Sequence, residues 1–112
     1  MIISFQNHKL AKELCDEKIL LRRYGPIQGK LIALRLTQIA AAEILSDLKV
    51  LPQLRAHELI RDRAGQISVD VKYPYRLLFV PDYEKPPCRD DGGLNWGKVR
   101  RIKIIGVEDT HD

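Results

Sequence analysis

Cysteine is scarce in this 112-residue chain: Cys15 and Cys88 stand far apart and form no CxxC pair. That excludes a disulfide framework and a thiolate metal knot, and it fits a reducing compartment. Long apolar runs are missing too, since nothing approaches the ~18–20 residues that cross a bilayer, so no membrane partner is expected. The opening stretch, MIISFQNHKLAKEL, meets charge before an apolar signal core accumulates, and the expected location is cytoplasmic. Aromatic residues make up 6% of the chain, and they do not pair along strands as in an RNA-recognition motif. Catalytic signatures are absent as well: there is no GxSxG, no HExxH and no EF-hand loop. Gly25-Pro26-Ile27-Gln28-Gly29-Lys30 is one residue short of a phosphate loop and lacks the Ser or Thr after lysine, so it reads as a helix-breaking turn. Neither a metal nor a cofactor is expected.

What is present is one domain's worth of globular sequence, 45% hydrophobic and 30% charged, spanning residues 1–112 without a repeat. Basic residues number 19 against 15 acidic ones, for a net charge of +4. A small excess of this sign is compatible with a polyanionic partner and does not demand one. Its placement says more. The first half, 1–54, carries 8 basic and 5 acidic residues, and the second half 11 and 10. Within the second half the basic residues gather between Arg55 and Arg76, while the acids gather in Pro81–Gly97 and the tail.

Hydrophobic periodicity divides the chain into elements. Ile2–Phe5 is a short β-type run, and Asn7 can cap a helix over Lys9–Leu21, with Leu10, Leu14 and Leu21 at near-helical spacing. Tyr24-Gly25-Pro26 stops it. A second helix with a broad apolar arc is predicted from Ile27 to about Leu48, closed by Leu51-Pro52. Strands follow at Ala56–Ile60, Gln66–Val71, Tyr75–Val80 and Val99–Val107. In the second of these, Ile67, Val69 and Val71 alternate with polar residues, and Ala64-Gly65 offers a tight turn. Pro81–Gly97, with three prolines and a Gly-Gly pair, reads as a loop whose end Trp96 pins to the sheet. The order β-α-α-β-β-β-β predicts an α+β fold: two helices on one face of a mostly antiparallel sheet of four to five strands, with the other face open to solvent.

Three segments together carry a family resemblance: Leu54-Arg55-Ala56-His57-Glu58-Leu59-Ile60-Arg61-Asp62-Arg63-Ala64-Gly65-Gln66-Ile67-Ser68-Val69, then Tyr73-Pro74-Tyr75-Arg76-Leu77-Leu78-Phe79, then Val107-Glu108-Asp109-Thr110-His111. In this order, in a small basic chain, they resemble the HigB branch of the RelE/ParE toxin superfamily, over all but Pro81–Gly97. The resemblance implies a RelE-like fold and the toxin of a type II toxin-antitoxin pair. Such a toxin is a ribosome-dependent endoribonuclease that cuts mRNA and is held inactive by a helix-turn-helix, HigA-like antitoxin. By position, His57, Arg76, Asp109 and His111 match the family's catalytic residues. Thr110 stands where the family's terminal tyrosine is usual, and Ile60 where some relatives carry lysine; Arg61 or Arg63 would replace that charge.

The residue types suit the chemistry. Metal-free RNA cleavage needs a base for the ribose 2′-hydroxyl, an acid for the departing 5′-oxygen and cations for the phosphorane. Histidine titrates near neutrality, and arginine is permanently charged and bidentate. Lys9, Lys12, Arg22, Arg23 and Lys30 on the helices are the expected rRNA or mRNA phosphate contacts, with Arg61 and Arg63 nearer the site. Two alternatives stand beside this reading: a noncatalytic ParE-like inhibitor of DNA gyrase, and a decayed family member that has lost activity.

Overall fold

The computed structural model describes residues 1–110. Five strands, β1 (Ile2–Phe5), β2 (His57–Glu58), β3 (Ile67–Asp70), β4 (Tyr75–Pro81) and β5 (Arg101–Asp109), form one sheet in the order β1-β5-β4-β3-β2. Three of the four pairings are antiparallel; β1 alone runs parallel to its neighbour, with Ile3 opposite Ile102. A parallel partner requires a long crossover, and the helices α1 (His8–Cys15) and α2 (Glu17–Ala41) belong to it. This is the α+β architecture expected from the pattern, with five strands.

Strand alternation decides which side is core. Ile67 and Val69 of β3, Leu77 and Phe79 of β4, and Ile102 and Ile104 of β5 are fully buried on one face, where Leu14, Leu20, Ile32 and Ile39 of the helices meet them. A bulge between Leu78 and Phe79 shifts the register with β5, so that Ile104 and Val107 both pair with core-facing residues of β4.

The helices depart from expectation in two places and keep to it in a third. The predicted Lys9–Leu21 helix is divided at Asp16, whose backbone is extended and whose carboxylate accepts from the Lys18 and Ile19 amides at 3.0 and 3.2 Å, capping a new start. The break at Tyr24-Gly25-Pro26 is real: Gly25 has φ +83°, and a Cβ on Gly29 would lie 3.3 Å from Leu21 Cα. In a straight helix eight residues span about 12 Å, so the two halves of α2 fold against each other. Finally, α2 ends at Ala41 rather than near Leu48. The Met1 nitrogen donates to the Ala40 carbonyl at 3.1 Å, and the Leu45 amide donates to Val99 O at 2.9 Å, which draws 45–50 into a 3-10 turn.

The first predicted strand of the second half, Ala56–Ile60, shrinks to two residues because Arg55 and Arg61, with φ 46° and 58°, bracket it in left-handed conformations. The loop over Pro81–Gly97 holds a small bridge between Cys88 and Leu94, and its end is pinned as expected: Trp96 is buried and its Nε1 donates to Glu58 Oε1 at 2.6 Å. Among the described residues no helix is long and apolar enough to cross a membrane.

Candidate functional site

The face of the sheet opposite the helices is not the open surface that alternation alone suggests. Ser68 and Leu78, register partners on that face, are both fully buried. The 59–66 connection between β2 and β3 covers them. Arg63 precedes Ile67 at one end of β3, yet its Nη2 reaches Glu108 Oε1 at 2.9 Å, and Glu108 pairs with Arg76 at the other end of the sheet. The connection therefore turns back across β3 and β4. A cavity of about 230 Å³ lies between it and Thr110, lined by Arg61 and Arg63 among others. The contiguous apolar triplet Leu77-Leu78-Phe79 is the signal for two covered faces that alternation overlooked.

Arg76 is the centre of the polar cluster that remains. Pleating turns it away from the buried Leu77, and its side chain is 12% exposed. Nε donates to Asp70 Oδ1 at 2.9 Å, and Nη1 donates to Thr110 Oγ1 at 3.1 Å. Asp70 also faces Arg55 Nε across 3.7 Å, and its main-chain carbonyl accepts from Arg35 Nε at 2.7 Å. Burial pushes the Arg35 pKa down and Asp70 pushes it back up; a guanidinium so placed stays charged. Asp70 thus organises three arginines from three parts of the chain.

His57 stands at the rim of this cluster. It pairs in register with Ser68, two residues along β3 from the Asp70–Arg76 pair and two strands from β4, which puts its Cα roughly 12 Å from that of Arg76 given strand spacing of ~4.8 Å and ~3.4 Å per residue. Its ring is exposed, and Nδ1 lies 2.8 Å from the Arg55 carbonyl. A carbonyl oxygen only accepts, so Nδ1 carries the proton, and Nε2 is left as the acceptor of the neutral ring. The left-handed Arg55 aims that carbonyl, a strained arrangement of the kind that gathers at working sites.

The residues expected to act together are sorted by the fold. His57, Arg63 and Arg76 share one face, with Arg61 in the covering turn. Asp109 does not join them: it pairs with Tyr75, so alternation places it on the opposite side of β5 from Glu108 and Arg76. His111 lies outside the described residues. Lys9, Lys12, Arg22, Arg23 and Lys30 belong to the helical layer on the other side of the sheet, all exposed, and Arg23 turns to Glu13 at 3.5 Å and to the Tyr24 ring. Arg55, Asp70, Thr110 and Glu108 are site residues that sequence reasoning missed. Asp70 was within reach of it, since it occupies the same alternating phase as Ser68, off the core. Among the described residues no group of three or more His, Cys, Asp or Glu is arranged to hold a metal ion.

No family model matches this chain, and no curated protein matches it either.

Proposed function

We propose that this chain is a HigB-like toxin of the RelE/ParE superfamily, an endoribonuclease that cuts mRNA on the ribosome and is neutralised by a HigA-like, helix-turn-helix antitoxin. One observation carries the reading: residues from all three sequence segments, His57 and Arg63 of the first, Arg76 of the second and Thr110 of the third, come together on one face of the sheet. A covered apolar floor with cations and an imidazole at its rim suits a reaction whose demands are proton transfer and charge neutralisation.

In this mechanism His57 Nε2 accepts the proton of a ribose 2′-hydroxyl. The 2′-oxygen attacks the adjacent phosphorus, the bond to the 5′-oxygen breaks, and a 2′,3′-cyclic phosphate remains. Arg76 and Arg63 neutralise the phosphorane, each giving up part of a carboxylate contact to do so. The acid that protonates the departing oxygen is assigned to His111 on the sequence argument alone.

The noncatalytic alternative draws on those same carboxylate contacts, which occupy both arginines. Expression in a bacterial cell with mapping of mRNA 5′ ends separates the readings. Cuts within translated codons, lost in His57→Ala and Arg76→Lys with the fold intact by circular dichroism, support the nuclease. Growth arrest with intact mRNA and double-strand DNA breaks overturns it in favour of a gyrase inhibitor.

A further inference from the structure

The second half of α2, residues 26–41, buries one side only, at Gln28, Gly29, Ile32, Arg35 and Ile39. At about 100° per residue the opposite side carries Ile27, Lys30, Leu34, Thr37 and Ala41, the alternating three- and four-residue spacing of a helix-packing seam. Ile27 is 68% and Leu34 48% exposed. Only two of these sixteen residues are charged, and one of them, Arg35, is buried, whereas a solvated helix face is ordinarily charged and polar. At its C-terminal end the stripe runs into a depression of about 350 Å³, whose apolar lining includes Ala41, Leu48, Val50 and Leu51 and whose polar members are Gln38 and Asp47. Val50 is 76% exposed. Three of the seven large apolar or aromatic side chains exposed among the described residues, Ile27, Leu34 and Val50, thus belong to one face of the helical layer. Clustering of that kind marks a contact surface.

The stripe is complementary to itself. When two copies of α2 pack antiparallel about a twofold axis through Leu34, the residues before Leu34 in one copy meet those after it in the other. Leu34 meets Leu34. Ile27, seven residues before the axis, meets Ala41, seven residues after it, so the protruding side chain at one end of the stripe lies over the depression at the other. Lys30 meets Gln38 beside Asp47, which brings the one charge on the stripe to the one carboxylate lining the depression. A parallel arrangement would set Lys30 against Lys30 and leave both depressions empty. An antitoxin helix would need only an apolar stripe; the matching of side chain to hollow and of charge to charge under one twofold is what a second copy supplies. We propose that this face of α2 is a self-association surface, on which two copies of the chain pack antiparallel about Leu34. A helix face about 24 Å long with the turn beyond it stands at the low end of stable interfaces, so the dimer dissociates in the micromolar range. The surface lies on the layer away from His57 and Arg76 and stands whether or not the chain cuts RNA.

Sedimentation velocity of the full chain from about 1 to about 300 µM, a span around a micromolar dissociation constant, tests this. The parent should pass from monomer to dimer. Leu34→Glu sets two carboxylates against each other at the axis and should raise the dissociation constant at least about a hundredfold. Ala41→Arg fills the depression and should raise it at least about tenfold. Lys30→Glu, at an exposed position where folding is not at stake, sets like charges together and should raise it about five- to tenfold. Ile60→Glu, exposed on the far side of the sheet, should dimerise as the parent does. Circular dichroism and melting temperature confirm that each variant is folded; if Leu34→Glu is not, Lys30→Glu decides. A parent that is monomeric at every concentration, or a dimer that survives Leu34→Glu and Lys30→Glu, overturns the proposal. A dimer lost in Leu34→Glu and unchanged in both Ala41→Arg and Lys30→Glu overturns the antiparallel arrangement. A monomeric parent whose capture by a HigA-like antitoxin is lost in Leu34→Glu overturns self-association in favour of antitoxin docking.

Discussion

The Arg76–Asp70 pair sets two quantities at once, and they move in opposite directions when it is broken. The side chains are 12% and 23% exposed and the contact is 2.9 Å long, so the pair is closer to a charge-assisted hydrogen bond of about 1.5–3 kcal/mol than to a surface ion pair of about 0.2–1 kcal/mol. Arg76→Met removes that bond and the one to Thr110, worth about 1 kcal/mol more, for a cost of about 3 kcal/mol. Asp70→Asn keeps the shape and weakens the bond, for about 2 kcal/mol; the 3.7 Å contact to the 69%-exposed Arg55 adds little. The double variant should cost about 3 kcal/mol rather than 5, a coupling of about 2 kcal/mol, because the shared bond is lost only once. Urea unfolding followed by the fluorescence of Trp96, the only tryptophan, measures this. With a slope of about 1.2 kcal/mol per molar urea, the Arg76→Met midpoint falls by about 2.5 M. A coupling below about 0.5 kcal/mol would show a solvent-screened pair and refute the structural role assigned to Asp70. Single-stranded RNA affinity supplies the second readout. Asp70→Asn removes a negative charge beside the phosphate site and frees Arg76, which at about 1 kcal/mol strengthens binding roughly fivefold. Weaker RNA binding by Asp70→Asn would refute the placement of the phosphate at Arg76.

Two further substitutions probe the scaffold. Gly29→Ala gains about 1 kcal/mol of helix propensity, but its methyl would stand 2.8 Å from Leu21 Cδ2 and 3.3 Å from Leu21 Cα, so overpacking of about 1–3 kcal/mol outweighs it. The melting temperature should fall by several degrees, and a rise would show that the halves of α2 do not pack this closely. Trp96→Phe removes the 2.6 Å bond to Glu58 and weakens the stacking of Lys49, whose Nζ lies 4.1 Å from the ring centroid. A cost of about 2 kcal/mol is expected, together with faster amide exchange in 82–97 and unchanged protection at Leu77 in β4; uniform loss of protection would mean that Trp96 supports the whole core rather than the loop.

Where an element is set by its own neighbours in sequence, its place was legible. Ile67, Val69 and Val71 alternate and are buried as alternation requires, Gly25 takes the positive φ that a break before proline needs, and Arg76 turns from the core because Leu77 and Phe79 turn toward it. The ends of elements were less legible, because distant groups decide them. The apolar arc of the second predicted helix runs on through Leu45 and Leu48, and both are indeed buried. They reach the core from a 3-10 turn, since Val99 and Met1 supply hydrogen-bond partners that no local pattern announces. Asp16 illustrates the converse: a residue placed on the polar face of one helix is the cap of the next, and only the backbone distinguishes the two uses.

The candidate site depends on the same division between local and distant causes. Arg76, His57 and Arg63 were found from sequence, but their grouping follows from the 59–66 connection folding back across the sheet, which buries Ser68 and Leu78. That fold-back removes the centre of the second face from solvent and leaves the arginine cluster at its end, where Asp70, Arg76 and Glu108 lie in one row across three strands. Asp109 fails to join them by a single residue of alternation. A one-residue difference in strand phase thus separates a carboxylate beside the arginines from one on the far side, which is why Glu108, absent from the expected set, holds Arg63 and Asp109 does not.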